Sequence, residues 1–244
     1  MTNPIFKNFG NNVTTDRVVQ ENQIMTVNGT LQITLLMGLI MLISAGYVWN
    51  QALLGYTDQV AMLTGIGGIA GFIVALIISF TRTKFLVPVY AGLEGLFLGG
   101  ISSVFESSYP GIVIQAVAGT FSAFFAMLIL YRLNVIKCTD KFRSIIFIGT
   151  ASIAGIYLIG FIGSFFGYSI PQIHTSSNIG IAFSIIAILF AAFNLILDFD
   201  FIEQGAQRML PKDYEWYGAF GLLLTLVWLY LEMLKLLAKL SDRR

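Results

Sequence analysis

The sequence has little charge. Only 11 % of its 244 residues are Asp, Glu, Lys or Arg, against about 25 % in soluble globular domains. Hydrophobic types make up 57 %. A water-soluble fold is therefore not expected, and an integral membrane protein embedded in a lipid bilayer is. Cysteine and histidine occur once each, as Cys138 and His174. One cysteine excludes an internal disulfide, and the pair is too small for a Cys/His zinc site. No Lys/Arg cluster is interleaved with aromatics, which removes nucleic acid as a partner. No nucleophile elbow, zinc motif or phosphate loop is present, so no enzyme is expected. Paired acids can hydrolyse peptides, but the Gly-Asp type motif of intramembrane proteolysis is missing. Residues 1 to 29 lack the basic start and apolar run of a signal peptide. They are expected to form a polar cytoplasmic tail.

Long apolar runs are what the chain does have. Seven segments reach the length of about 20 residues that a bilayer core requires. They cover roughly 30–49, 59–80, 85–105, 111–131, 144–166, 178–198 and 217–238. The expected fold is an all-α integral membrane protein, a seven-transmembrane-helix bundle over residues 30–244. Lys and Arg alternate between the loops. Arg82 with Lys84, then Arg132, Lys137, Lys141 and Arg143, then Arg208 and Lys212 mark every second connection. By the positive-inside rule these loops and the N-terminus are cytoplasmic. The last segment breaks the pattern, because its end carries Lys235, Lys239, Arg243 and Arg244. It either spans against the rule or dips in and returns. Its length favours spanning.

Three acids lie inside these segments. A charge at mid-membrane costs roughly 2.5–3.5 kcal/mol on insertion scales, so each needs a reason. Asp198 ends the sixth segment, with Asn194 one turn before it and Ile202 one turn after, on one helix face. Asp200 is about 200° round the helix, and with Glu203 is expected at headgroups or cytoplasm. Glu94 sits among Ala91, Gly95 and Gly99, a small-residue pattern that allows close helix contact. It either packs as a neutral acid or belongs to an ion or proton path. Glu232 precedes Lys235 by three residues, so a local ion pair explains it. The rival reading pairs Glu232 with Asp198 across two helices. Two close carboxylates share a proton and form a pH switch whose ionised form attracts a hard cation such as Ca²⁺. Arg82 is either a competing partner for Asp198 or a plain interfacial anchor. His174 sits in an uncharged loop, solvated or pH-sensing.

The stretches "NPIFKNF", "MTVNGT", "AGLEGLFLGGIS", "LILDFDFIEQG" and "WYGAFGLLLTLVWLYLEMLKLL" resemble the Bax inhibitor-1 family, and more closely its bacterial branch. The resemblance covers nearly the whole chain. It implies a seven-helix bundle with a central last helix, placed in the cell (inner) membrane. It further implies a pH-sensitive calcium leak governed by an acid pair on the sixth and seventh helices. Asp198 with Ile202 matches the sixth-helix pattern, whereas Asp200 does not. Glu232 stands where the family has Asp, and Glu94 matches its third-helix acid. In this reading Asp198 and Glu232 form the gate and hold calcium transiently. Glu94, Asp200, Asn194 and Arg82 line or support the path, and calcium is a permeant ion rather than a cofactor. The alternative is a non-transporting interaction protein that regulates a membrane partner such as a quality-control protease, with residues 1 to 29 as its contact. A proton-coupled transporter is disfavoured because no inverted repeat is visible. One geometric tension is built in. Glu232 lies 16 residues beyond Trp216, about 24 Å along a straight helix, while Asp198 is expected near the opposite, cytoplasmic end.

Overall fold

The structure, a computed structural model, describes residues 23–166 and 175–243. His174 and most of the polar tail, residues 1–22, lie outside the described residues. Among the described residues seven α-helices follow one another: α1 Val27–Leu53, α2 Thr57–Thr81, α3 Val87–Ser108, α4 Ile112–Arg132, α5 Asp140–Phe165, α6 Asn178–Gln207 and α7 Tyr214–Ser241. Each is long and apolar enough to cross a membrane. Among the described residues there is no strand, only one isolated bridge between Ile24 and Pro211.

Local chemistry sets the ends. Thr26, Thr139 and Ser177 cap α1, α5 and α6, each accepting from the backbone N–H three residues on. Pro88 opens α3, where its missing N–H costs nothing. Arg82 closes α2 in a left-handed conformation, φ 54°. The sixth helix runs nine residues past its expected end at Asp198. No breaker intervenes before Pro211, and Gln204 to Asp200 and Gln207 to Glu203 are side-chain bonds at i,i+4 spacing. Asp198 is therefore inside the helix rather than at its end.

The helices alternate in direction. The start of α1, the α2–α3 turn, the α4–α5 loop and the α6–α7 turn share one end, here the basic end. Lys84 donates to Asp213 at 2.7 Å there, and Arg143 to Asp200 at 2.5 Å. The tip of α7 lies at the far end. Arg243 donates to the Ser176 carbonyl at 2.6 Å and to Asn178 at 2.7 Å. The Tyr109 hydroxyl and Ser176 both donate to Asp242, which holds that carboxyl below the usual range. The last helix thus runs the full depth of the bundle. Its basic residues are accommodated by internal partners, since Lys239 also donates to the Gly180 carbonyl and Ser184.

α7 is the central helix, packed against α1, α3, α4 and α6. Phe220, Leu223 and Val227 meet Met37, Met41, Ile78 and Tyr90 on one side. Leu222 and Leu229 meet Ala191, Leu195 and Phe199 on another. The small residues around Glu94 behave as expected. A Cβ at Gly95 or Gly99 would collide with the Met41 or Ala45 carbonyl oxygen of α1, and one at Gly67 would sit 2.6 Å from the Leu93 oxygen. So α3 is clamped between α1 and α2 by backbone-close contact. Gly99→Val is expected to lower stability by about 1–3 kcal/mol or more through overpacking, whereas Gly155→Ala, with open space at its Cβ, is expected to be neutral. Thermal unfolding in detergent checks both, and equal effects would contradict the clamp.

Candidate functional site

α7 carries a polar stripe along its whole length. Tyr217, Gly221, Thr225, Trp228, Glu232, Lys235 and Lys239 follow at steps of three or four residues, which places them on one helix face. Much of this face meets α6, whose Gly180, Ser184, Ala187 and Ala191 are fully or nearly fully buried and let the two helices approach.

Asp198 enters this seam from α6. Its Oδ1 faces Gly221, where a Cβ would stand 3.4 Å away. The Thr225 hydroxyl is the polar group beside it. Its Oδ2 is buried and has no hydrogen-bond partner among the described residues. None of the ion pairs of the described residues involves it. A buried carboxyl oxygen without a donor is costly and uncommon.

Glu232 is elsewhere. It is completely buried and accepts from the Tyr157 hydroxyl of α5 at 2.8 and 3.0 Å. Lys235 donates to it at 3.0 Å and lies over the Tyr157 ring at 4.3 Å. The local ion pair is therefore what forms, and the Asp198–Glu232 pair is not. Asp198 lies nine residues from the basic end of α6, about 14 Å, and Glu232 eighteen residues from that end of α7, about 27 Å. The longer α6 narrows the gap that the sequence implied but leaves about 13 Å along the axis. Among the described residues no three Asp, Glu, His or Cys side chains converge as a metal-ion set, so the two acids share no calcium cage in this conformation.

The remaining candidates are dispersed. Asn194 turns away from Asp198 and donates to Thr150 of α5 at 2.7 Å, because a hydroxyl is in reach there. Arg82 donates to the Tyr214 hydroxyl at 3.0 Å and lies 5.7 Å over the Tyr214 and Tyr217 rings. It anchors the start of α7 and does not pair with Asp198. Glu94 faces α2, its Oε2 standing 3.2 Å from where a Cβ of Gly71 would be. Asp200 is only partly open at the basic end. It is paired with Arg143 and its side chain is 13 % exposed. Glu203 accepts from Tyr131 at 2.6 Å. Asp200 and Glu203 line a recess of about 400 Å³ at the basic end, together with Tyr131, Lys137 and Cys138.

Sequence reasoning missed Glu215. It is 2 % exposed and accepts from the Thr26 N–H and hydroxyl, both at 2.9 Å. Met25 N–H donates to the Leu210 carbonyl and Lys212 N–H to the Gln23 carbonyl, each at 2.8 Å. The segment before α1 is thereby clasped to the α6–α7 turn. The spacing of "MTVNGT" carried part of that signal, since Gly29 leaves room for the carboxylate beside the capped helix start.

A family model described as "Bax inhibitor 1 like" matches residues 3–242. The chain belongs to the Bax inhibitor-1 family. Membership makes it a multi-pass membrane protein of that family over essentially its whole length. No curated protein matches it significantly.

Glu215→Ala leaves the Thr26 donors without their acceptor and is expected to destabilise by about 1–3 kcal/mol. Thermal unfolding checks this, together with faster proteolysis near residues 23–26. An unchanged protein would contradict the clasp. Burial pushes the Cys138 thiol up, against the Arg143 hydrogen bond and with help from Asp200. Its alkylation at neutral pH is expected to be slower than that of a free thiol, and faster in Asp200→Asn.

Proposed function

We propose that the protein is a pH-sensitive cation leak channel, with calcium as the permeant ion, whose path is the α6–α7 seam. The buried, unpartnered oxygen of Asp198 carries this reading. In the closed seam the protonated acid is neutral, and its neighbours are Gly221 and Thr225. Ionisation places an unpaired charge in a low-dielectric contact, which is costly until water reaches it. Separation of α6 from α7 admits that water, and a carboxylate with a hydroxyl beside it is a hard-oxygen site for a passing cation. Flux therefore rises as pH rises. The recess lined by Asp200 and Glu203 supplies the polar entrance at the basic end, taken as cytoplasmic in the inner membrane. Glu232 acts as a separate tie between α5 and α7 rather than as half of a proton-sharing pair. Glu94 supports the α2–α3 contact beside the seam.

The clasp between residues 23–26 and 210–215 supports a second reading, a regulator of a membrane partner such as a quality-control protease. A partner that holds the N-terminal tail would pull on the α6–α7 turn through backbone hydrogen bonds.

Calcium flux into liposomes over roughly pH 5 to 8 tests the first reading. The wild type is expected to leak more as pH rises. Asp198→Asn is expected to lose that pH dependence, and Glu232→Gln to keep it. A pH response unchanged by Asp198→Asn would overturn the leak mechanism.

A further inference from the structure

One position on the polar stripe of α7 is not explained by polar contact. Trp228 lies between Thr225 and Glu232, three and four residues away, about 21 Å from the basic end of the helix. Tryptophan in membrane helices concentrates at the interfaces, where its N–H meets water or headgroups. Trp228 is at depth, so interfacial anchoring does not account for it. Its partly buried ring packs against the apolar cluster that includes Ala191 and Leu195 of α6 and Leu229 of α7. Ala191 and Leu195 are fully buried. They lie sixteen and twelve residues from the basic end of α6, about 24 and 18 Å, the level of the indole.

Two polar regions flank this level. On the basic side Asp198 faces Gly221 and Thr225. On the far side Glu232 holds Tyr157 and Lys235. Among the described residues, no hydrogen bond or ion pair joins Asp198 to the Glu232 cluster. The stripe positions nearest Asp198 are a glycine and a threonine, so going toward Glu232 the first bulky side chain is Trp228.

We propose that Trp228 is the constriction of the α6–α7 seam. Its indole, packed against the cluster that holds Ala191 and Leu195 and level with them, keeps the ground around Asp198 separate from the Glu232 cluster until the two helices part. Apolar constrictions of this kind close a path by excluding water. The proposal rests on the leak reading for its physiological meaning, but the separation itself is measurable without flux.

Two readouts test it in one set of proteoliposomes. The first is calcium flux at the acidic pH where the wild type leaks least. Trp228→Ala is expected to raise it about tenfold, the change produced by about 1.4 kcal/mol off a permeation barrier, while Trp228→Phe stays near wild type. The second is modification by silver ion of Thr225→Cys in a Cys138→Ser background, with silver added on the far-end side. Modification is expected to speed up when Trp228→Ala is added. Should Trp228→Ala fail to fold, Trp228→Val carries the same expectation. Faster modification with no flux in any variant, wild type included, would support the constriction while removing the leak reading. Unchanged flux and unchanged modification in a folded variant would overturn the proposal and leave Trp228 as packing.

Discussion

In hydrocarbon no water completes the hydrogen bonding of a buried polar group, so each such group must find its partner within the protein. That constraint shapes α7 more than any other element. A helix with an acid, two lysines, a threonine and a tryptophan on one face is unstable facing lipid. Surrounded by α1, α3, α4 and α6, it has Tyr157, Gly180, Ser184 and Ser102 as partners for its polar groups. Its central position follows from this. So does the close fit of α6, whose small residues bring hydrogen-bonding atoms within reach. Asp198 departs from this rule, as does the Tyr90 hydroxyl: one carboxyl oxygen of Asp198 remains without a partner among the described residues, and that gives the site its character.

The same constraint resolves the charge conflict at the end of the chain. The positive-inside rule counts basic residues that remain at the membrane surface. Lys235 and Lys239 are not such residues. One is tied to Glu232 and the other to a carbonyl and a hydroxyl of α6. Arg243 is bonded across to the start of α6. Their charge is met by partners within the protein, so the helix spans with its C-terminal tip at the far end, where the other loops carry no Lys or Arg.

The seven helices were legible because a run of apolar residues long enough for a bilayer has few other uses. The small-residue contacts of α3 and the Glu232–Lys235 pair followed from spacing within one helix. The expectations that failed concerned contacts between helices. Helical periodicity places Asn194 and Asp198 on one face, but Thr150 on a neighbouring helix draws Asn194 aside. The distance from Trp216 to Glu232 already weighed against an Asp198–Glu232 pair, and the actual end of α6 does not close it. Glu215 was overlooked because an acid in the first turn of a helix reads as a surface residue. Its partner, Thr26, lies 189 residues earlier, and no local pattern connects them. The stripe on α7 was present in the sequence throughout, at steps of three and four.

The central claim is that α6 and α7 part to open the path. A Cβ at Gly218 would lie 3.2 Å from Cγ1 of Ile202, so a disulfide between Ile202→Cys and Gly218→Cys, with Cys138→Ser, would lock the two helices together near the basic end. Calcium flux of the oxidised and reduced protein is the direct measurement. The account predicts that the cross-link abolishes the leak at every pH and that reduction restores it. An equal leak in the fully cross-linked and reduced proteins would contradict the seam as the path.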